Sequence, residues 1–374
     1  MLHLITGLHV GGAEQVLVRL LGQSDRRRFL HTVVSVTEPG PVAERLRTVG
    51  VKVCTLGMRP GTPSLRGLVR LVKILRRLRP DLLQCWMYHA NLLGLLAGKL
   101  ARVPHIVWTI RSSNENLAAY RWLTRWTVRL CVWLSRFPDC SVFASEAGSK
   151  LHQSWGFAPS KTVVISNGAD LDIFRPDGAA RHSVRQELGL SDDTILIGLI
   201  ARFHPMKDHQ TFFKAVSSAR LREHGVHFLL AGEGITPANL ELARVVKQSS
   251  LEGCVHVLGC REDIPRLTAA LDIACLSSWS ESFPNVVGEA MACGVPCVVT
   301  DVGDSARIVG DTGRVVPPRS PQALAAALSE MIAMGPAGRQ VLGKKARQRV
   351  AQEFSLAKMV QTYESLYESI AGRV

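Results

Sequence analysis

The chain has 374 residues, 47% hydrophobic and 20% charged, which is too long for one ordinary core and too apolar for a disordered segment, so two globular domains are expected. Its nine cysteines contain no repeated Cys-x-x-Cys pair, and only Cys293 and Cys297 stand close together; neither a zinc site nor a disulfide framework is indicated, and buried free thiols in a reducing compartment are predicted. The net charge of +14 lies wholly in the first half: residues 1–165 hold 23 Lys and Arg against 8 Asp and Glu, and residues 166–374 hold 22 against 23. One domain only is therefore expected to meet an anionic surface or partner.

Leu2–Thr6 reads as a buried strand, which leaves no room for a signal peptide and predicts a cytoplasmic location. A helix follows from about Ala13. Thr32–Val36 is the next strand and a helix starts near Val42. Asp81–Gln84 precedes a helix over Asn91–Ala101, whose apolar part is cut by Lys99 and falls far short of a membrane span. Ile106–Thr109 and Ser141–Ala144 are strands, the latter followed by a helix over Glu146–Trp155. Asn-Gly and Arg-Pro break the pattern across Ser166–Pro176, which marks a hinge. Beyond it Ile195–Ile200 leads into a helix over Asp208–Ser218, with strands near His227–Ala231, Val255–Leu258, Ile273–Leu276 and Pro296–Thr300. A last helix covers Leu356–Ile370. Alternating strands and helices predict an α/β protein built of two doubly wound, Rossmann-like parallel sheets. The expected domains are residues 1–168 and 169–355, with 356–374 returning to the first. Ligands of such sheets sit beyond the carboxyl ends of the strands, so chemistry is sought in those loops.

Three loops stand out. Gly7-Leu-His-Val-Gly-Gly-Ala-Glu14 sets Gly11 and Gly12 at a strand-to-helix turn, where backbone N–H groups can meet an anion; a plain tight turn fits as well, and the dinucleotide pattern GxGxxG is absent. Ala201-Arg-Phe-His-Pro-Met-Lys-Asp208 offers the Arg202 fork and the Lys207 ammonium to phosphate oxygens, with Asp208 able to cap the next helix. The most specific segment runs from Ser280 to Pro296. Pro284 and Asn285 suit a helix start, which puts Glu281 in the loop and Glu289 in the helix. Eight helical residues would separate them by roughly 12 Å, too far for an acid and nucleophile flanking one bond. Two separate hydrogen-bonding tasks fit better, one for a sugar and one for a ribose, with the helix start favouring a diphosphate between them.

Glu281 and Glu289 form the Glu-x7-Glu pattern, and on it the chain resembles the retaining family-4-type glycosyltransferases (glycosyl transferases group 1) with the GT-B fold. Arg202 and Lys207, the strand end Leu229-Leu-Ala-Gly-Glu-Gly234, Asn167-Gly-Ala-Asp170 and Gly11-Gly12-Ala13-Glu14 extend the resemblance over nearly the whole chain. It implies two Rossmann-like domains facing a central cleft that holds a nucleotide-sugar. Arg202 and Lys207 would neutralise the leaving diphosphate, Glu289 would bind the ribose and Glu281 the sugar's hydroxyls. Gly12, Gly11, Gly232, Glu233, Phe283, Asn285 and Val286 would line the phosphate and sugar pocket. A uridine diphosphate sugar is the commoner donor in that family. Members often carry a His after a Thr at a first-domain strand end; here Thr109-Ile-Arg-Ser112 sets Arg111 there. His89 could substitute, or be a satisfied structural histidine. No Asp-x-Asp motif falls where a diphosphate would sit, so no metal or other cofactor is expected.

Two first-domain stretches look interfacial. Arg66, Arg70, Lys73 and Arg77 recur along Leu65–Arg79, and Arg121, Arg125, Arg129 and Arg136 stand beside Trp122, Trp126 and Trp133 within Tyr120–Arg136. Basic amphipathic helices with Trp suit an anionic membrane surface, here the inner face of the plasma membrane, and a glycan or lipid-linked acceptor; helices that simply cover their own sheet are the alternative. The charge of +14 also prompts a nucleic-acid reading, but no binding motif is present and 6% of residues are aromatic, so no nucleic-acid partner is expected. A catalytically silent relative, a GT-B epimerase and a phosphorylase-like enzyme share the implied fold. An NAD oxidoreductase shares the sheet but not the glycine fingerprint.

Overall fold

In the computed structural model, residues 1–9, 11–59, 62, 64–112, 122–218, 225–251 and 253–372 are described. Tyr120 and Arg121 of the expected interfacial helix lie outside them. The chain forms two compact units, Met1–Asn167 with Leu356–Val374, and Gly168–Ser355. The first break thus falls one residue before the boundary read from the sequence.

The first unit runs β1 (Leu2–Ile5), α1 (Gly12–Gln23), β2 (Thr32–Ser35), α2 (Val42–Thr48), β3 (Lys52–Thr55), α3 (Leu65–Leu78) and β4 (Leu82–Trp86). It continues through α4 (Tyr88–Ala101), β5 (His105–Ile110), α5 (Trp122–Leu134), β6 (Cys140–Phe143), α6 (Glu146–Ser154) and β7 (Thr162–Val164). All seven strands are parallel, in the order β3-β2-β1-β4-β5-β6-β7. Right-handed crossovers leftward from β1 place α1 and α2 on one face; those rightward from β3 place α3, α4 and α5 on the other. Both faces are therefore covered, and Leu2, His3, Leu4 and Ile5 are buried without the alternation of a half-exposed strand.

The second unit runs α7 (Gly178–Leu188), β8 (Ile195–Ile200), α8 (His209–Ser218), β9 (Val226–Ala231), α9 (Leu240–Gln248), β10 (Val255–Val257) and α10 (Ile264–Ala269). Then come β11 (Ile273–Leu276), α11 (Asn285–Ala292), β12 (Cys297–Thr300), α12 (Ser305–Val309), β13 (Gly313–Val316), α13 (Pro321–Ala333) and α14 (Gly335–Glu353). Its parallel sheet has the order β10-β9-β8-β11-β12-β13. The two ends of this unit meet, since the Ala169 N–H donates to the Phe354 carbonyl at 2.8 Å. The chain closes with α15 (Leu356–Ala371), which packs on α1 of the first unit.

Three strands escaped the sequence reading: β3, β7 and β13. Each is an outer strand, and each is only partly buried, so none shows the continuous apolar run of a central parallel strand. Helices α7, α9, α10, α12, α13 and α14 were not placed either; α7 buries only Val184 and Arg185 and carries no apolar stripe. The fourth strand continues two residues past Gln84 to Trp86, and α4 starts at Tyr88 rather than Asn91. Met87 makes this abrupt change of direction at φ 72°, a region costly for a residue with a side chain. All nine cysteines are free, but Cys54 is half-buried and Cys260 exposed, so burial does not extend to every thiol. No helix among the described residues is long and apolar enough to cross a membrane.

The buried histidines set an acid limit. His152 accepts or donates between the Tyr88 hydroxyl (2.7 Å) and the Gly148 carbonyl (2.6 Å), and burial pushes it down to about 4. Burial, aided by the Lys207 charge, does the same to His209. The unfolded chain takes up these protons near pH 6.5; the folded chain does not until about pH 4. Stability is therefore expected to be level above pH 6.5 and to fall between 6.5 and 4, by up to ~1.4 kcal/mol per pH unit per histidine. Melting temperature against pH checks this; a flat profile across that window would contradict it.

Candidate active site

In the second sheet the strand order reverses between β8 and β11, and the loops leaving these two strands flank that point, where ligands of open α/β sheets lie. After β8, a single 3₁₀ turn over Pro205–Lys207 ends at Asp208, whose φ is 49°. The Asp208 carboxylate then accepts from the Thr211 N–H at 3.1 Å and the Thr211 hydroxyl at 2.7 Å, which fixes the start of α8. Lys207 is thereby aimed at the loop after β11. Its Nζ donates to Glu281 Oε1, and the Ser278 hydroxyl donates to the same oxygen at 2.7 Å. The Lys207 and Glu281 side chains are 21% and 13% exposed, so the pair is shielded yet reachable.

Backbone bonds tie the two loops together. The Ser277 hydroxyl donates to the Lys207 carbonyl at 2.8 Å, the Trp279 N–H to the Met206 carbonyl and its indole N–H to the Pro205 carbonyl, both at 2.9 Å. Arg319 lies over the Trp279 ring, 4.8 Å from its centre. From the other side, the Thr300 hydroxyl donates to the Ser278 carbonyl at 2.6 Å and the Asp304 N–H to the Ser282 carbonyl at 3.0 Å. Gly303 closes this contact at φ 56°, and a Cβ there would come within 2.5 Å of the Glu281 carbonyl oxygen. Gly303→Ala is therefore expected to push the Glu281 loop away from Lys207 and weaken nucleotide binding about tenfold or more, since ~1–2 kcal/mol of backbone strain adds to the clash. Calorimetric titration checks this; affinity within twofold of the parent would refute it.

Arg202 is exposed, between the Ala201 N–H bond to the Ala231 carbonyl and the Phe203 N–H bond to the Glu233 carbonyl. Burial first, then the Arg202 and Lys207 charges, hold His204 below its usual range; the loop carries a positive field. The neighbouring loop after β9 is zipped to it. Phe203 N–H donates to the Glu233 carbonyl at 2.7 Å, and Gly232, at φ 149°, lies so close to the Ala201 carbonyl that a Cβ would overlap it. The Glu233 side chain itself is exposed. Helix α11 begins at Asn285 behind Pro284, which gives no side-chain acceptor to its first amides. Phe283 is buried, Asn285 and Val286 are half-buried, and Glu289 is 7% exposed on the second turn. Glu289 borders a cavity of about 20 Å³ with Val286 and Thr268, too small to hold a sugar ring.

The remaining candidates stand at strand ends of the first unit. Gly11 caps α1 in an extended conformation and Gly12 opens it, with nothing within 4 Å of a Cβ at Gly12. The Glu14 carboxylate folds back beside Gly11, and burial raises its pKa. His89 lies in the first turn of α4, where burial lowers its pKa. Arg111 follows β5; its Nη1 donates to the Tyr363 hydroxyl of α15 at 3.2 Å, and its guanidinium lies 5.8 Å from the Trp86 ring centre. The structure thus brings Lys207 and Glu281 into contact, ranges Arg202, Gly232 and Glu233 along the adjoining loops, and gives Arg111 a partner from the far end of the chain. Ser278, Trp279 and Gly303 were missed. Ser278 and Trp279 adjoin the Glu-x7-Glu segment, which was their only signal; Gly303 had none.

Two Rossmann-like parallel sheets, with a shielded Lys–Glu pair where the second sheet's strand order reverses, define the architecture of a GT-B glycosyltransferase. Residues 194–334 match the family model of glycosyl transferases group 1, and residues 10–173 that of glycosyltransferase family 4; the chain belongs to this family. It is 28% identical over 292 residues to N,N'-diacetylbacillosaminyl-diphospho-undecaprenol alpha-1,3-N-acetylgalactosaminyltransferase of Campylobacter jejuni, 74% of each chain. It is 24% identical over 315 residues to UDP-Gal:alpha-D-GlcNAc-diphosphoundecaprenol alpha-1,3-galactosyltransferase of Escherichia coli, which covers 81% of this chain and 79% of that one. Among solved structures, Anabaena HepE in complex with UDP superposes with a TM-score of 0.86 at 24% identity, over 98% of this chain and 99% of that chain.

Proposed function

We propose that the protein moves a hexosyl or N-acetylhexosaminyl group from a UDP-sugar to a lipid-linked glycan, with retention at the anomeric carbon and without a metal ion, on a cytoplasmic, anionic membrane face. The observation that carries this reading is the Lys207–Glu281 pair at the strand-order reversal, with Arg202 on the same loop. A diphosphate arriving there meets two cations and competes with Glu281 for the Lys207 ammonium. Released from Lys207, Glu281 is free to accept from sugar hydroxyls, and Glu289 from the ribose. In the transfer the acceptor oxygen bonds to the anomeric carbon as that carbon's bond to the diphosphate breaks. The acceptor proton passes to a diphosphate oxygen on the same face. Arg202 and Lys207 stabilise the charge that develops on the leaving group, the largest contribution such a site offers.

Two kinds of relative support the choice of substrates: a structure in complex with UDP-glucose, and enzymes named for diphosphoundecaprenol-linked acceptors. The experiment is a thermal-shift titration against nucleotide diphosphates and their sugars, in EDTA, followed by NMR of the product's anomeric configuration. A rise of several degrees with UDP alone, and an axial donor linkage kept axial, are expected. An inverted product would end the retaining reading, and activity lost to EDTA but restored by magnesium would end the metal-free one. UDP binding with no transfer to any acceptor would leave a silent relative.

A further inference from the structure

Helices α3, α4 and α5 pack side by side on one face of the first sheet. Helix α3 carries Arg66, Arg70, Lys73, Arg76 and Arg77, α4 carries Lys99, and α5 carries Arg125 and Arg129; none of the three holds an acidic residue. On α3, Arg70 donates to the Leu56 carbonyl and Arg76 to the Leu100 carbonyl. Glu38 lies beside Gly57 at the edge of this face, but the cations outnumber it, and such an excess repels itself and is stabilised by an external anion.

The same face leaves large apolar groups in water. Trp122, Trp126 and Trp133 are 70%, 54% and 63% exposed on one stripe of α5, and Leu65 and Leu100 are 82% and 56% exposed on the neighbouring helices. The Arg129 guanidinium lies 5.2 Å from the Trp126 ring centre. Indoles edged by cations and flanked by aliphatic side chains match the boundary between headgroups and acyl chains. A polynucleotide would use the indoles but not Leu65 or Leu100. Along α3 run two depressions that share Arg70. One, of about 370 Å³, is bordered by Arg59, Arg66 and Arg70; the other, of about 430 Å³, by Arg70, Lys73 and Arg77. Each has three cations and room for a phosphate ester.

We propose that the α3–α4–α5 face docks on an anionic bilayer, with Trp122, Trp126 and Trp133 at headgroup depth and a lipid phosphate in each of the two α3 depressions. The lipid-linked acceptor of the proposed function gives the docking its purpose, but the docking is measured without turnover. Full-length protein is sedimented with vesicles of phosphatidylcholine alone and with phosphatidylglycerol added. Binding is expected only to the second, and to weaken with salt. The triple variant Arg66→Glu, Arg70→Glu, Arg77→Glu should lose about 100-fold or more in affinity, with its melting temperature and its stabilisation by UDP unchanged. Trp126→Ala with Trp133→Ala should lose binding while keeping the salt dependence of what remains. Glycerol phosphate in solution distinguishes the source: protection by it equal to that by vesicles would replace the bilayer with a free phosphate ester. Equal binding to both vesicle types, an unaffected triple variant, or tighter binding to an RNA probe than to vesicles would overturn the proposal. Failure of UDP to bind would bear on the donor site alone.

Discussion

Replacing Lys207 with Ala is expected to lower kcat/KM by about 10²–10³-fold, the loss typical of removing one preorganised charge from a developing anion. The loss has two sources. The cation that meets the diphosphate disappears, and the Glu281 carboxylate, 13% exposed, loses its ammonium partner while it keeps the Ser278 hydroxyl at 2.7 Å. An incoming diphosphate then faces a negative charge that Lys207 formerly balanced. Adding Glu281→Gln to Lys207→Ala should therefore recover part of the nucleotide affinity, though not the rate, because the repulsion goes while the leaving-group charge stays unmet. Lys207→Arg should recover less than its charge suggests, since a planar fork does not reproduce the point contact that the ammonium makes with Glu281 Oε1. Steady-state kinetics and UDP titration of the four proteins check this. A Lys207→Ala enzyme within threefold of the parent would remove the pair from the mechanism.

Deleting residues 356–374 is expected to unfold the first unit and spare the second. Helix α15 seals α1's side of the first sheet with Leu356, Met359, Val360, Tyr363, Tyr367 and Ile370, all 5% exposed or less. At ~1.5–3 kcal/mol per large apolar side chain their burial contributes roughly 10 kcal/mol, as much as the net stability of an ordinary domain. The polar losses fall in the same place. Tyr367 donates to Gln84 Oε1 at 2.5 Å inside the sheet, and Glu364 accepts from the Ser24 hydroxyl at 2.9 Å. The second unit keeps the contact that joins its ends, the isolated bridge between Ala169 and Ser355. Calorimetry should show one transition lost and one kept, with proteolysis confined to residues 1–167. Tyr367→Phe is the mild form: it keeps the ring and strands Gln84, at a cost of ~1–3 kcal/mol. A truncated chain with both transitions intact would show that α15 is dispensable.

How far the sequence reached depended on distance along the chain. Glu281, Pro284, Asn285 and Glu289 fall within nine residues, so one helix start fixes their relation, and their order could be read directly. Central strands such as β1 and β8 were legible because parallel strands covered on both faces are apolar throughout. The edge strands β3, β7 and β13 were not, because they are only partly buried and lack a continuous apolar run. Burial of Tyr363 and Tyr367 was hidden for a different reason: the last helix was returned to the first domain, but an apolar stripe does not name the residues it will meet there.

By itself the sequence determined the alternating strands and helices, the break in the pattern across Ser166–Pro176, the one-sided charge and the positions of the two glutamates. These follow from periodicity, turn chemistry and composition, which act over a few residues. Only the tertiary structure decided that Lys207, 74 residues from Glu281, donates to it, and that Tyr363, 252 residues from Arg111, holds its guanidinium. Such contacts are set by which strands pair and on which side the crossovers run, and no local signal in the chain encodes the distance between two loops that only a shared sheet brings together.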